Sequence, residues 1–176
     1  MSLPWAEAAD VWIAPDLVGL GDTTVPCAGT AGTAAALDAL AAATRLRGRR
    51  LRWVLDDAHV HYLLLDWPEG VAGNEEQSAY VRFRFQELCG PAAATQTHSW
   101  ENARPGHKVL ACACDAALLA QLADWARGQG VRVAGARGAW LAAYNRLLPA
   151  LAGPAGAFGL WRGGRCTLGV WRQGDW

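Results

Sequence analysis

Short β-patterned runs alternate with helical runs along most of this chain, and that alternation narrows the folds open to it more than any single motif does. From Gly32 onward, Ala34, Leu37, Leu40, Ala41 and Leu46 recur at helical spacing, which predicts a helix with Arg45, Arg47 and Arg49 at its C-terminal end and Gly48 as its stop. Leu51, Trp53 and Leu55 then alternate with Arg52 and Val54, Asp56-Asp57-Ala58 reads as a turn, and residues 60–65 read as a second strand. The two runs are expected to form an antiparallel hairpin. Asn74-Glu75-Glu76-Gln77 resembles a capping box ahead of a helix over residues 75–89, which Gly90-Pro91 ends. Residues 109–114 predict a short buried strand, and Asp115 is expected to cap a helix carrying Leu118, Leu119, Leu122 and Trp125. Residues 131–134 give one more strand before a helix with Trp140, Leu141, Tyr144, Leu147 and Leu148. At the end, residues 157–161 and 166–171 flank Arg162-Gly163-Gly164, a hairpin with a Gly-Gly connection.

This order predicts an α/β fold, a mixed and partly parallel sheet with flanking helices. Residues 1–31 read as an irregular N-terminal segment with one strand, and residues 32–176 as a single α/β domain either truncated or open at its C-terminal β-meander. An open strand there would be a pairing surface. The chain's 176 residues are enough for a sizeable core. Sixteen basic residues balance sixteen acidic ones, so no whole-molecule field draws in nucleic acid or anionic lipid. No stretch reads as a membrane span or a secretory leader, which points to a cytoplasmic protein. Five cysteines at irregular spacings (27, 89, 112, 114 and 166) suit a reduced compartment, with no disulfides expected.

Candidate chemistry is sparse. His59 and His61 fall two apart on the predicted second strand, but a metal needs three or four converging ligands, so packing is the better reading. Cys112 and Cys114 share a strand face with apolar neighbours and read as buried structural thiols. Gly19-Leu20-Gly21-Asp22-Thr23-Thr24 is only a weak phosphate-loop lookalike. Ser2, Ser78 and Ser99 lie outside any nucleophile elbow; His98-Ser99 and His107 bracket a stretch read as irregular. Asp56-Asp57 and Glu75-Glu76 are accounted for by a turn and a helix cap. The densest charge cluster is Arg45, Arg47, Arg49, Arg50 and Arg52, with Trp53 beside it. It fits either a contact for phosphates or an acidic partner, with Trp53 as anchor, or a solvated helix end with arginines alternating outward from the strand. Trp171 and Trp176 are further interaction candidates, and no cofactor, metal or catalytic group is assigned.

Residues 51–171 carry an ordered series: Leu51-Arg-Trp-Val-Leu-Asp-Asp, Val60-His-Tyr-Leu-Leu-Leu-Asp-Trp-Pro, the helix after Asn74, Lys108-Val-Leu-Ala-Cys-Ala-Cys-Asp, Gly128-Gln-Gly-Val-Arg-Val, the helix of Trp140, and Gly159-Leu-Trp-Arg-Gly-Gly-Arg-Cys-Thr-Leu-Gly-Val. In this order they resemble the actin-like cytoplasmic assembly-platform proteins of bacterial type IV pili and type II secretion. The resemblance implies one lobe of an actin-like (ribonuclease H-like) fold. It also implies a noncatalytic scaffold or interaction module at the inner membrane, peripheral to it, recruited by a protein partner of that assembly and free to form homo-oligomers. A degenerate nucleotide-binding protein and, behind it, a small hydrolase or metal enzyme are the alternatives. No Asp-x-Gly phosphate motif precedes the relevant hairpin turns, so ATP hydrolysis is not assigned.

Overall fold

The computed structural model describes residues 8–46, 48–101, 105–151, 153–173 and 175–176. In chain order the elements are β1 (Ala9–Ile13), β2 (Leu17–Leu20), β3 (Thr23–Pro26), α1 (Gly29–Ala43), β4 (Arg50–Leu55), β5 (Val60–Asp66) and α2 (Asn74–Cys89). A 3-10 turn (Gly90–Thr95) leads into β6 (Gln96–Trp100), β7 (Lys108–Asp115), α3 (Ala116–Gly128), β8 (Arg132–Gly138), α4 (Ala139–Leu147), β9 (Ala155–Arg162) and β10 (Arg165–Arg172). Two compact units divide the chain, one formed by the residues up to His59 with Ala117–Ala142, the other by Val60–Ala116 with Ala143–Trp176.

The first unit holds a mixed sheet in the order β3-β2-β1-β4-β8. β1, β4 and β8 run parallel, while β2 and β3 fold back antiparallel. Val11, Ile13, Leu51, Trp53, Val54 and Leu55 are all buried. Burial of consecutive residues in β4 is the mark of an interior strand covered on both faces. That is why the expected hairpin of β4 with β5 does not form: β4 is a central parallel strand, and β5 pairs with β7 instead. The Asp56 N–H donates to the Ile13 carbonyl (2.8 Å), which ties the end of β4 to β1. Helix α1 buries Thr33, Ala36, Leu37 and Leu40, a stripe at helical spacing. Residues 1–31, expected to hold one strand, carry β1, β2 and β3. Their four- and five-residue length, broken by Pro15 and Gly21, hides the periodicity on which a strand assignment rests.

The second unit holds an antiparallel sheet in the order β5-β7-β6 and the separate hairpin β9–β10. Helix α2 covers one face of that sheet. Val81 and Phe85 pack with Leu65, Val109, Ala111 and Ala113 in a closed apolar cluster that also takes in Trp67 and Ala93. The helix starts one residue away from the expected Asn cap: Gly73 precedes it, and the Glu76 carboxylate accepts the N–H groups of Gly73 and Ala72, each at 3.1 Å. Those bonds hold the Glu76 carboxyl below the usual range. β9 and β10 pair from Arg162↔Arg165 outward, leaving Gly163 (φ 54°) and Gly164 (φ 75°) as a two-residue loop. Positive φ at both loop positions is what the right-handed strand twist selects.

Candidate interaction surfaces

The arginine run does not sit on a helix. α1 ends at Ala43, so Arg45 and Arg49 lie exposed in the segment that leads to β4, Arg50 is exposed on the strand and Arg52 is half-buried. Arg47 lies outside the described residues. The early helix end follows from Thr44, whose hydroxyl donates to the Leu40 carbonyl (2.7 Å) while its backbone turns extended. Arg52 is engaged: its Nη1 donates to Asp10 Oδ1 at 3.2 Å, and Arg137 Nη2 donates to the other Asp10 oxygen at 2.8 Å. β1, β4 and β8 lie side by side and bring these three residues, far apart in sequence, onto one strip of sheet. Arg50 also stands directly opposite Arg132 of β8. The basic surface thus has members, Arg132 and Arg137, that the linear sequence could not associate with it.

Trp53 is not an exposed anchor. It is 2% exposed, and its ring meets Trp125 edge-on at 6.0 Å; the Trp125 indole N–H in turn donates to Asp38 of α1 at 2.8 Å. An interior strand leaves no room for its side chain at the surface. Trp171 and Trp176 do come together, 5.9 Å apart at 74° and both against Tyr144. They are half-buried, and Trp171 lies across Gly156 of the facing strand.

The opposite face of the same hairpin is bare. Trp161, Leu168 and Val170 are 73, 63 and 57% exposed, and the register puts them with Cys166 on one side of the two strands. Trp161 is one of the clearest exposed apolar side chains of the second unit. Alternation within the hairpin marks a two-faced ribbon, but only the packing of Tyr144 on one face tells which side is left open.

The other candidates resolve toward packing or surface. His61 is exposed, whereas His59 precedes β5, so the two do not share a strand as expected. Among the described residues no group of three or more His, Cys, Asp or Glu could hold a metal. Cys112 and Cys114 share a face of β7 and are half-buried; burial raises both thiols, with Cys114 pushed up to about 11. Gly19 and Thr23 belong to the β2–β3 hairpin, with Gly21 in its turn at φ 59°. His98-Ser99 themselves lie on the edge strand β6, whose mixed polar composition hides a strand held by β7, and of the stretch they bracket with His107, residues 102–104 lie outside the described residues. Asp57 does more than turn the chain, since its Oδ1 accepts the Trp140 N–H at 3.1 Å at the start of α4.

No family model matches the chain, and no curated protein sequence matches it. Solved structures do. One is the cytoplasmic domain of EpsL, an inner membrane component of the type II secretion system of Vibrio cholerae, at 11% identity and a TM-score of 0.59 over 92% of this chain and 70% of that one. Another is the PilM-PilN type IV pilus biogenesis complex, at 18% identity and a TM-score of 0.65 over 96% of this chain and 62% of that one. This chain has their actin-like fold. At these identities the likeness extends to the architecture, a mixed α/β sheet with flanking helices, as the ordered series of residues 51–171 implied. The described residues contain no helix long and apolar enough to cross a membrane.

Proposed function

We propose that this chain is a noncatalytic scaffold or interaction module of a bacterial pilus or secretion assembly, held at the cytoplasmic side of the inner membrane by a protein partner. The observation that carries this reading is the fold likeness over nearly the whole chain to two proteins of such assemblies. The surface chemistry agrees with it. The bare face of Trp161, Leu168 and Val170 offers contiguous apolar area of the kind that marks a protein contact, and Arg45, Arg49 and Arg50 offer exposed cations nearby in sequence to one another. Trp171 and Trp176 would support that surface from behind, and no cofactor is required.

The test is purification of the tagged chain from detergent-solubilised membranes of its source cell. Co-purification of inner-membrane components of a pilus or secretion system at fixed stoichiometry is expected, with loss of pili or of secretion when the gene is deleted. A chain found free of such proteins, with both processes intact after deletion, sinks the proposal.

A further inference from the structure

β6 is an edge strand, and the backbone groups on its outer side can be identified. The Glu101 N–H donates to the Leu110 carbonyl at 3.3 Å, which makes Glu101 and Leu110 a hydrogen-bonded antiparallel pair. Bonded and non-bonded pairs alternate, so Thr97 and Ser99 bond to Cys114 and Cys112 of β7 in the observed register. The N–H and C=O groups of His98 and Trp100 therefore point away from β7. The Gln96 N–H obeys the same rule: it turns outward and donates to Ala93 of the preceding 3-10 turn. Among the described residues no strand pairs with this side of β6.

Alongside that edge runs a groove of about 500 Å³. Its far wall is one stripe of α2, Ser78, Arg82 and Gln86, at four-residue spacing. The stripe covers about 12 Å at 1.5 Å per residue, the length of about four extended residues. Side chains at Gln96, His98 and Trp100 face α2: the His98 ring lies 4.8 Å from Phe85, and the Trp100 indole donates to Gln77 at 3.3 Å. Two of these side chains hold buried polar atoms without a partner, Gln96 Oε1 and His98 Nε2. Burial and the nearby Arg82 cation hold His98 below its ordinary pKa, which keeps its ring neutral. Arg82 is the single charged side chain of the lining.

We infer that this groove receives an extended peptide segment of a partner protein, added antiparallel or parallel to the outer edge of β6 as a fourth strand, with an acidic side chain facing Arg82. The backbone of His98 and Trp100 supplies the ladder. A second copy of the chain fits less well, because edge-to-edge pairing of two β6 strands would present one Arg82 to another with no carboxylate in the lining of either groove. The inference rests on the scaffold reading only for the source of the strand.

The test uses the full chain and a displayed library of random ten-residue peptides. Enriched peptides should carry Asp or Glu amid strand-forming residues. Titration of an enriched peptide should shift the His98 and Trp100 amides in NMR spectra and slow their hydrogen exchange at least tenfold. Arg82→Glu, on the exposed face of α2, should keep the fold and weaken acidic peptides at least tenfold. His98→Pro removes an outward donor without touching the β7 ladder and should abolish binding; should it fail to fold, Arg82→Glu still decides. The inference is overturned by unchanged binding to Arg82→Glu, by amide shifts confined to other elements, by a library without acidic enrichment, or by protection of His98 that rises with chain concentration alone, which would assign the edge to a second copy. An assembly component that binds the chain while Arg82→Glu changes nothing removes the groove and leaves the scaffold reading standing.

Discussion

Two tryptophans of opposite standing, Trp53 and Trp161, allow the packing argument to be tested by replacing each with Ala. Trp53 is 2% exposed and edge-on to Trp125 at 6.0 Å. Its truncation leaves a large cavity between β4 and α3, for which Trp→Ala changes typically cost about 3–5 kcal/mol, with about 0.5–1.5 kcal/mol of that in the aromatic pair. Trp161 is 73% exposed. Only about a quarter of its surface is withdrawn from water, roughly 50 Å² of the roughly 200 Å² such a ring can bury, so at about 25 cal/mol per Å² its truncation costs about 1 kcal/mol. That figure is an upper bound, because the unfolded chain already covers part of the ring. Urea unfolding followed by far-ultraviolet circular dichroism reads both, and the lost indoles do not affect that signal as they would fluorescence. The Trp53→Ala midpoint should fall steeply at unchanged slope, and the Trp161→Ala midpoint should barely move. If the two units melt in separate steps, only the step of the first unit should respond to Trp53→Ala. Equal costs for the two substitutions, or a larger one for Trp161→Ala, would refute the assignment of Trp53 to the core and Trp161 to the open face.

Gly156→Ala should disrupt the hairpin's packed face, since a Cβ there would run into the Trp171 ring. Overpacking of this kind costs about 1–3 kcal/mol, and the near-ultraviolet dichroism of the Trp171, Trp176 and Tyr144 cluster should change with it; an unaltered spectrum and stability would show that the ring does not lie across Gly156. The half-buried thiols predict an alkaline effect. The Cys114 pKa rises in the folded state from 9.0 to about 11, so the native chain keeps a proton that the unfolded chain loses. Stability is then fully present below about pH 9 and declines as pH climbs through about 11, and Cys114→Ala should flatten the decline in pH-dependent urea titrations. An identical alkaline slope in the variant would remove this thiol from the account. Exposed Cys166 should also react with iodoacetamide well before Cys112 and Cys114, whose thiolates burial disfavours.

The alternation of runs and the Gly-rich stops determined a good deal on their own. α2, α3 and α4 stand where apolar spacing placed them, α1 ends at Ala43, short of the expected stop at Gly48, and Gly163-Gly164 specified the closing hairpin, because helical period and positive φ are local properties that each segment carries with it. Strand partners were not local. Leu51, Trp53 and Leu55 looked like half of a hairpin because alternation is visible in one strand, whereas the place of that strand between β1 and β8 depends on residues 9–13 and 132–138. β6 escaped notice for the same reason: Gln-Thr-His-Ser-Trp has no apolar alternation of its own, and its extended form is held by β7. The candidate surfaces followed this division. The arginines were legible as a run, but only the tertiary structure joined Arg52 to Asp10 and Arg137, withdrew Trp53 into the core, bared Trp161, and set Arg82 beside the open edge of β6. Burial and edge exposure depend on every other segment at once, and one stretch of sequence does not encode them.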